Sequence, residues 1–184
     1  NEKIKLLLKN GARVVASSET MWINAAMHRS SYSIFKLLFD ALITSRKYKH
    51  ELETTVWWDI DRDMSSGSII YPILSYGEAF MLQYVIDRGA VVNRVHKTRD
   101  VFPLEFLIRD WNKHNVDGDE QRLEKCRTLL EHKATWSRTN TNRYHNILRV
   151  AVEADTTYSG DLLRMLLATD MVETINDVEY TNEA

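Results

Sequence analysis

The residues able to do chemistry are few and widely spaced. The single cysteine, Cys126, has His132 six positions on. A thiolate nucleophile and its imidazole base must lie within hydrogen-bond reach. Six residues turn a helix through about 600°, some 240° away from a shared face, so this pair is not placed for catalysis. Asp59, Asp61 and Asp63 alternate as the carboxylates of a calcium loop do. Such a loop needs Gly directly after its third acidic position, and Met64 stands there. Asp63 reads instead as a carboxylate that caps a turn. Asp117, Asp119 and Glu120 surround Gly118 in a polar run and read as a solvated turn. The chain carries no Gly-rich phosphate loop, no Gly-x-Ser-x-Gly, no Cys-x-x-Cys and no His-Glu-x-x-His. Its six histidines nowhere take the spacing of a metal pair, and its six glycines are few for the functional loops of a catalytic domain. The expectation is a chain with no catalytic residue, no metal and no cofactor, and without enzymatic activity of its own.

The remaining chemistry belongs to surfaces. Trp57 and Trp58 are adjacent, so an extended backbone points them to opposite sides. One reading has a Trp filling a gap in the core, as large aromatics usually do. The other makes the pair an anchor for a partner, since Trp is enriched where binding energy concentrates. Arg46, Lys47, Lys49 and His50 form a basic cluster just before them. Arg138, Arg143 and Arg149 read either as a small basic patch or as scattered surface arginines.

Composition narrows the class. The 184 residues are 44% hydrophobic and carry a formal charge of −2. That is enough apolar material for a core, and too little net charge to suggest a nucleic-acid binder or a disordered tail. No apolar run approaches the roughly 20 residues that span a bilayer. A signal peptide and an Asn-x-Ser/Thr acceptor are both missing. A lone cysteine in an apolar helical slot fits a buried thiol in a reducing compartment, so the expected location is intracellular, cytoplasmic or nuclear.

Any site must be positioned by helices, and their pattern repeats. One stretch, 68–93, sets it out in full. Ile70, Ile73 and Leu74 make an apolar turn, and Ser75, Tyr76, Gly77 and Glu78 break it. Leu82, Val85 and Ile86 then share a second helical face, and Gly89 follows where a left-handed cap wants a residue without Cβ. The second-helix pattern recurs at Ile4, Leu7, Leu8 with stop Gly11; at Ile34, Leu37, Leu38 with Ala41; at Cys126, Leu129, Leu130 with Lys133; and at Leu163, Leu166, Leu167 with Asp170. The first-helix pattern recurs at Trp22, Ala25, Ala26; at Leu104, Leu107, Ile108; and at Leu148, Ala151, Val152. Such self-similarity marks a repeat architecture, in which each unit buries its apolar face only against neighbours.

The chain resembles the ankyrin repeat family. The resemblance rests on Thr20, Met21, Trp22, Ile23, Asn24 and Ala25; on Ser68, Ile69, Ile70 and Tyr71; on Phe102, Pro103, Leu104 and Glu105; and on Asn146, Ile147, Leu148 and Arg149. These stand where that family has Thr-Pro-Leu-His-x-Ala, with none keeping the His. Lys9, Asn10, Gly11, Ala12; Asp87 to Asn93 through Gly89 and Ala90; and Glu131, His132, Lys133, Ala134 look like its Gly-Ala-x-Val-Asn turn. The resemblance implies an all-α, ankyrin-like helical repeat solenoid with short turn and hairpin connections, over one array, 1–184. It divides into 1–13, the second helix of a truncated unit; 14–62, with an insertion at 42–60; 63–95; 96–134, with an insertion at 112–121; 135–170; and 171–184, the start of a further unit. Ile34 and Leu82 lie 48 residues apart, about 15 beyond the family period. Leu104 and Cys126 are 22 apart where Ile70 and Leu82 are 12. Both ends fall within a unit, so the chain is expected to be a fragment of a longer protein.

The family usually meets partners with its turn tips and the exposed side of its first helices. Carried over, the tips are Ser17 and Glu19; Met64, Ser65 and Gly67; Thr98, Arg99 and Val101; Arg143 and His145. The first-helix residues are Met27, His28, Ser75, Tyr76, Arg109, Asp110 and Glu153. Met27, Tyr76, Arg99 and Arg109 are the foremost candidates, because Tyr and Arg dominate binding energies and Met adapts to irregular surfaces. The implied function is binding of a protein partner of unknown identity, with no nucleic acid, membrane or small-molecule ligand expected. The alternative is a scaffold segment that packs on other domains of its own chain, catalytic ones included.

Overall fold

The computed structural model describes residues 2–12, 31–44, 58–59, 64–65, 68–96, 99–109, 118–136, 147–153 and 159–169. They form helices α1 (Glu2–Lys9), α2 (Tyr32–Thr44), α3 (Ile70–Tyr76), α4 (Ala79–Ile86), α5 (Pro103–Arg109), α6 (Asp119–Glu131), α7 (Ile147–Glu153) and α8 (Ser159–Leu167). Between α2 and α3, a small antiparallel hairpin joins β1 (Trp58–Asp59) to β2 (Met64–Ser65), with Trp58 opposite Ser65 and Asp59 opposite Met64. The expected helix at Trp22, Ala25 and Ala26, the 112–117 part of the second insertion and the 171–184 segment lie outside the described residues. The described fold is all-α apart from that hairpin.

The helices pack in two rows. In one row α3 touches α5, and α5 touches α7; in the other α4 touches α6, and α6 touches α8. Within each pair, α3 meets α4, α5 meets α6 and α7 meets α8. A helix of seven or eight residues is too short to be stable in water on its own, so burial between neighbours must hold it. All seven residues of α3 are buried. The core runs through Ile70, Ile73, Leu82, Val85, Leu104, Cys126, Leu129, Ala151, Leu162 and Leu166.

Three turns end their helices with one backbone arrangement. The Ala90 N–H donates to the Val85 carbonyl and the Gly89 N–H to that of Ile86. Ala134 and Lys133 repeat this on Leu129 and Leu130, and Ala12 and Gly11 repeat it on Leu7 and Leu8. This is a Schellman stop, whose penultimate residue must be left-handed. Gly11 and Gly89 accordingly have φ of 82° and 93°. Lys133 takes the same place at φ 59°, where its Cβ is strained. Gly77 is needed for another reason: a Cβ there would lie 2.9 Å from the Ile73 side chain, in the last turn of α3.

Polar side chains tie one unit to the next. The Tyr71 hydroxyl lies 2.6 Å from the Arg94 carbonyl and 2.7 Å from that of Val101. A phenol from α3 thus makes a long-range bond to the turn before α5. Asn93 donates from Nδ2 to the Lys133 carbonyl and accepts the Thr135 N–H at Oδ1, joining the turns after α4 and α6. From α6, Gln121 accepts the Ala79 N–H and Lys125 donates to the Leu74 carbonyl, so two side chains one turn apart grip the α3–α4 connection. Lys125 is fully buried along its stem.

Some expected packing is corrected. Leu167 is 52% exposed, although the repeated pattern put it in the core. In α8 the inward positions are Leu162 and Leu166, four apart, which rotates the expected face by one residue. Leu130 is only partly buried. Ala41 does not stop its helix, because α2 continues to Thr44. In that helix Phe35, Phe39 and Leu42 are the buried residues, with Ile34 and Leu38 beside them.

Two predictions follow from this packing. Leu129→Ala should cost about 2–5 kcal/mol in denaturant unfolding, and Leu167→Ala less than about 0.5 kcal/mol. Lys133→Gly should raise stability by about 0.5–1 kcal/mol, since relief of left-handed strain exceeds the entropy that Gly adds to the unfolded chain.

Candidate partner-binding surface

The turn before α5 is built around an aromatic box. Pro103 opens α5, where its missing N–H costs nothing, and Glu105 Oε2 accepts the Phe102 N–H at 3.0 Å. Glu105 thus caps its own helix. Tyr71 from α3 and Phe106 from α5 enclose His96, which is 1% exposed. The Tyr71 ring meets His96 edge-on at 4.6 Å, and the Phe106 ring lies parallel to it at 5.9 Å. Backbone bonds from His96 N–H to Val101 and from Asp100 N–H to His96 close the turn. Burial pushes the Tyr71 hydroxyl far up, so it stays a donor throughout the physiological range.

This box positions Arg99. Its guanidinium sits 5.0 Å from the centre of the Phe106 ring, a cation–π contact that holds a half-exposed side chain in place. Arg109 closes α5 three residues beyond Phe106 and is also half-exposed. Residues three apart share a helical side, so Arg109 follows Phe106 along α5. A cation in the last turn is also favoured by the helix dipole.

The other candidates divide. Tyr76 was expected to be exposed and is buried, at 7%, as is Ser75. The reason is that α3 is enclosed on all sides, leaving no solvent face. Val101 is buried too, beneath the Tyr71 hydroxyl. Met27, His28, Trp57, Asp110, Arg143 and His145 lie outside the described residues. For Trp58 the backbone is described, in β1, and Met64 and Ser65 are paired with it in β2. Of the foremost candidates, Arg99 and Arg109 are half-exposed and Tyr76 is buried.

A second surface was missed in the sequence. Phe80 is 42% exposed and meets the Tyr32 ring edge-on at 4.7 Å, between α2 and α4. Beneath it, Asp40 Oδ1 accepts from the Tyr84 hydroxyl at 2.5 Å and from Arg88 Nε at 3.0 Å. Arg88 also lies 3.4 Å above the Tyr84 ring. Burial first, and then the Asp40 carboxylate, push the Tyr84 hydroxyl up. The available signal was Phe80 itself, an aromatic two residues before Leu82 and so about 200° away from the apolar face. Val91 and Val95 are likewise exposed, on the loop after α4.

Cys126 is wholly buried, and that burial pushes its thiol up, away from the reactive thiolate. Among the described residues, no three of His, Cys, Asp or Glu gather to hold a metal, and no helix is long and apolar enough to cross a membrane. No protein-family model matches the chain, and no curated protein or solved structure matches it at a significant level.

The burial of Tyr76 carries a prediction. Tyr76→Ala should lower the unfolding free energy by about 3 kcal/mol, as a core truncation does. Equilibrium denaturation would read this directly.

Proposed function

We propose that this chain is a protein-interaction module, an ankyrin-like helical repeat array that binds a protein partner by shape and surface chemistry. The two-row stacking of short helix pairs is the observation that carries the reading. An array of this kind sets its turns side by side, and so offers a partner an extended rigid surface. Arg99 and Arg109 are the contact residues that the described surface supports best. One is braced on Phe106, and the other stands at the end of the same helix. Bracing lowers the ordering cost that a long side chain incurs on binding. Function on such a fold follows from the surface and not from the architecture, so the partner is defined by what these side chains meet.

A second reading is favoured by a separate observation. Leu6 and Leu7 on α1, Val152 on α7 and Leu167 on α8 are each more than half exposed. These lie in the first helix and the last pair, where a scaffold segment would pack on other domains of its own protein. Expression of this chain alone separates the two: a soluble, cooperatively folding monomer supports the interaction module, and aggregation supports the scaffold.

The test begins with capture of partners from lysates and their identification by mass spectrometry. Arg99→Ala with Arg109→Ala should then weaken binding of the captured partner more than tenfold, about 1.4 kcal/mol. Stability should fall by no more than the cation–π contact is worth, about 0.5–1 kcal/mol. Affinity that survives this pair but is lost in Trp57→Ala or Trp58→Ala would move the site to the 42–60 insertion.

A further inference from the structure

The turn that carries Arg99 is held by a histidine in one protonation state. The Arg99 backbone N–H donates to His96 Nδ1 at 3.3 Å. Nδ1 must therefore present its lone pair, which leaves the ring proton on Nε2. Turns of this kind are commonly started by Asp or Asn, whose side-chain oxygen accepts an N–H a little further along and does not change its role near neutral pH. Here the acceptor is an imidazole, the side chain whose ordinary value, about 6.5, falls within the physiological range.

We propose that His96 is a pH-sensitive lock on this turn: its neutral ring holds the turn closed, and its protonation releases it. Protonation at Nδ1 places a second N–H where the Arg99 N–H already points. The hydrogen bond is lost, and two donors face each other in a box that is closed to water, where a misplaced polar group is costly. The turn must open to relieve this, which withdraws the Arg99 guanidinium from Phe106.

The charged and titratable groups around the ring act in both directions. Tyr71, from α3, remains a neutral donor to the backbone on either side of the turn. Glu105, from α5, is 2% exposed, and its negative charge would favour an imidazolium. Arg94 and Arg99, on the turn itself, oppose one, and Asp100 is exposed to solvent. The contact at Nδ1 decides between them, because it is a direct hydrogen bond and its loss needs no long-range field. The closed turn is thus fully held above the ordinary imidazole range and is released as pH falls below it. The lock stands whether or not Arg99 meets a partner.

Amide hydrogen exchange on the intact chain, corrected for intrinsic rates, tests this without a ligand. Protection of the Arg99 amide should fall about tenfold between roughly pH 7.5 and 5, the loss of one hydrogen bond. In His96→Asn, whose Oδ1 can accept the same N–H and does not titrate, protection should be independent of pH. Glu105→Gln should keep the pH dependence. A wild-type Arg99 amide whose protection does not change with pH would overturn the proposal, as would a His96→Asn chain that keeps the drop. Should His96→Asn fail to fold, the His96 ring resonances of the wild type serve instead. Their titration should coincide with the change at the Arg99 amide, and a ring that titrates while that amide stays protected contradicts the lock.

Discussion

A seven-residue helix with every side chain out of water depends entirely on its neighbours. Helix α3 is in that position, packed against α4 and α5 and held at its end by α6. Helix α4 folds back on it across Gly77, where no Cβ fits. Helix α5 lies alongside it in the same row. Two side chains of α6 satisfy the backbone at its connection to α4, the Leu74 carbonyl and the Ala79 N–H. Those polar groups would otherwise be left at helix ends without intrahelical partners. The hydrophobic driving force and the hydrogen-bond bookkeeping thus meet at one hairpin.

From this hairpin the order passes outward through Tyr71. Its ring is core and its hydroxyl is not; it fastens the backbone of the next turn at Arg94 and Val101. That turn holds His96 and positions Arg99 on Phe106. A surface cation is therefore connected to the centre of the core through the rings of Tyr71, His96 and Phe106. This is how a fold made of short helices can present a fixed surface: the side chains at the surface are braced by contacts that also bury α3.

The repeated apolar triplets made much of this readable in advance. They located α3 to α6 and the stops at Gly11, Gly89 and Lys133, because a helix face and a left-handed cap each impose a local spacing. What they did not set was the rotation of each helix about its axis. Leu166 and Leu167 are equally apolar, and only the position of α6 makes Leu166 the inward one. The same limit explains Tyr76. Position alone put it on an exposed side, but burial depends on how many neighbours surround α3, which no local pattern records. Of the foremost candidates, Arg99 and Arg109 are half-exposed, while the aromatic surface at Tyr32 and Phe80 went unread because it joins α2 to a residue nearly fifty positions away.

The central claim is that α3 and its hairpin form the stability core on which the outer helices and the Arg99 turn depend. Native-state hydrogen exchange under increasing denaturant measures it most directly. The account predicts that amides of α3, α4 and α6 exchange only through global unfolding, while those of α1, none of whose residues is buried, open at much lower free energy. Exchange of the α3 amides through a local opening, as easily as those of α1, would contradict it.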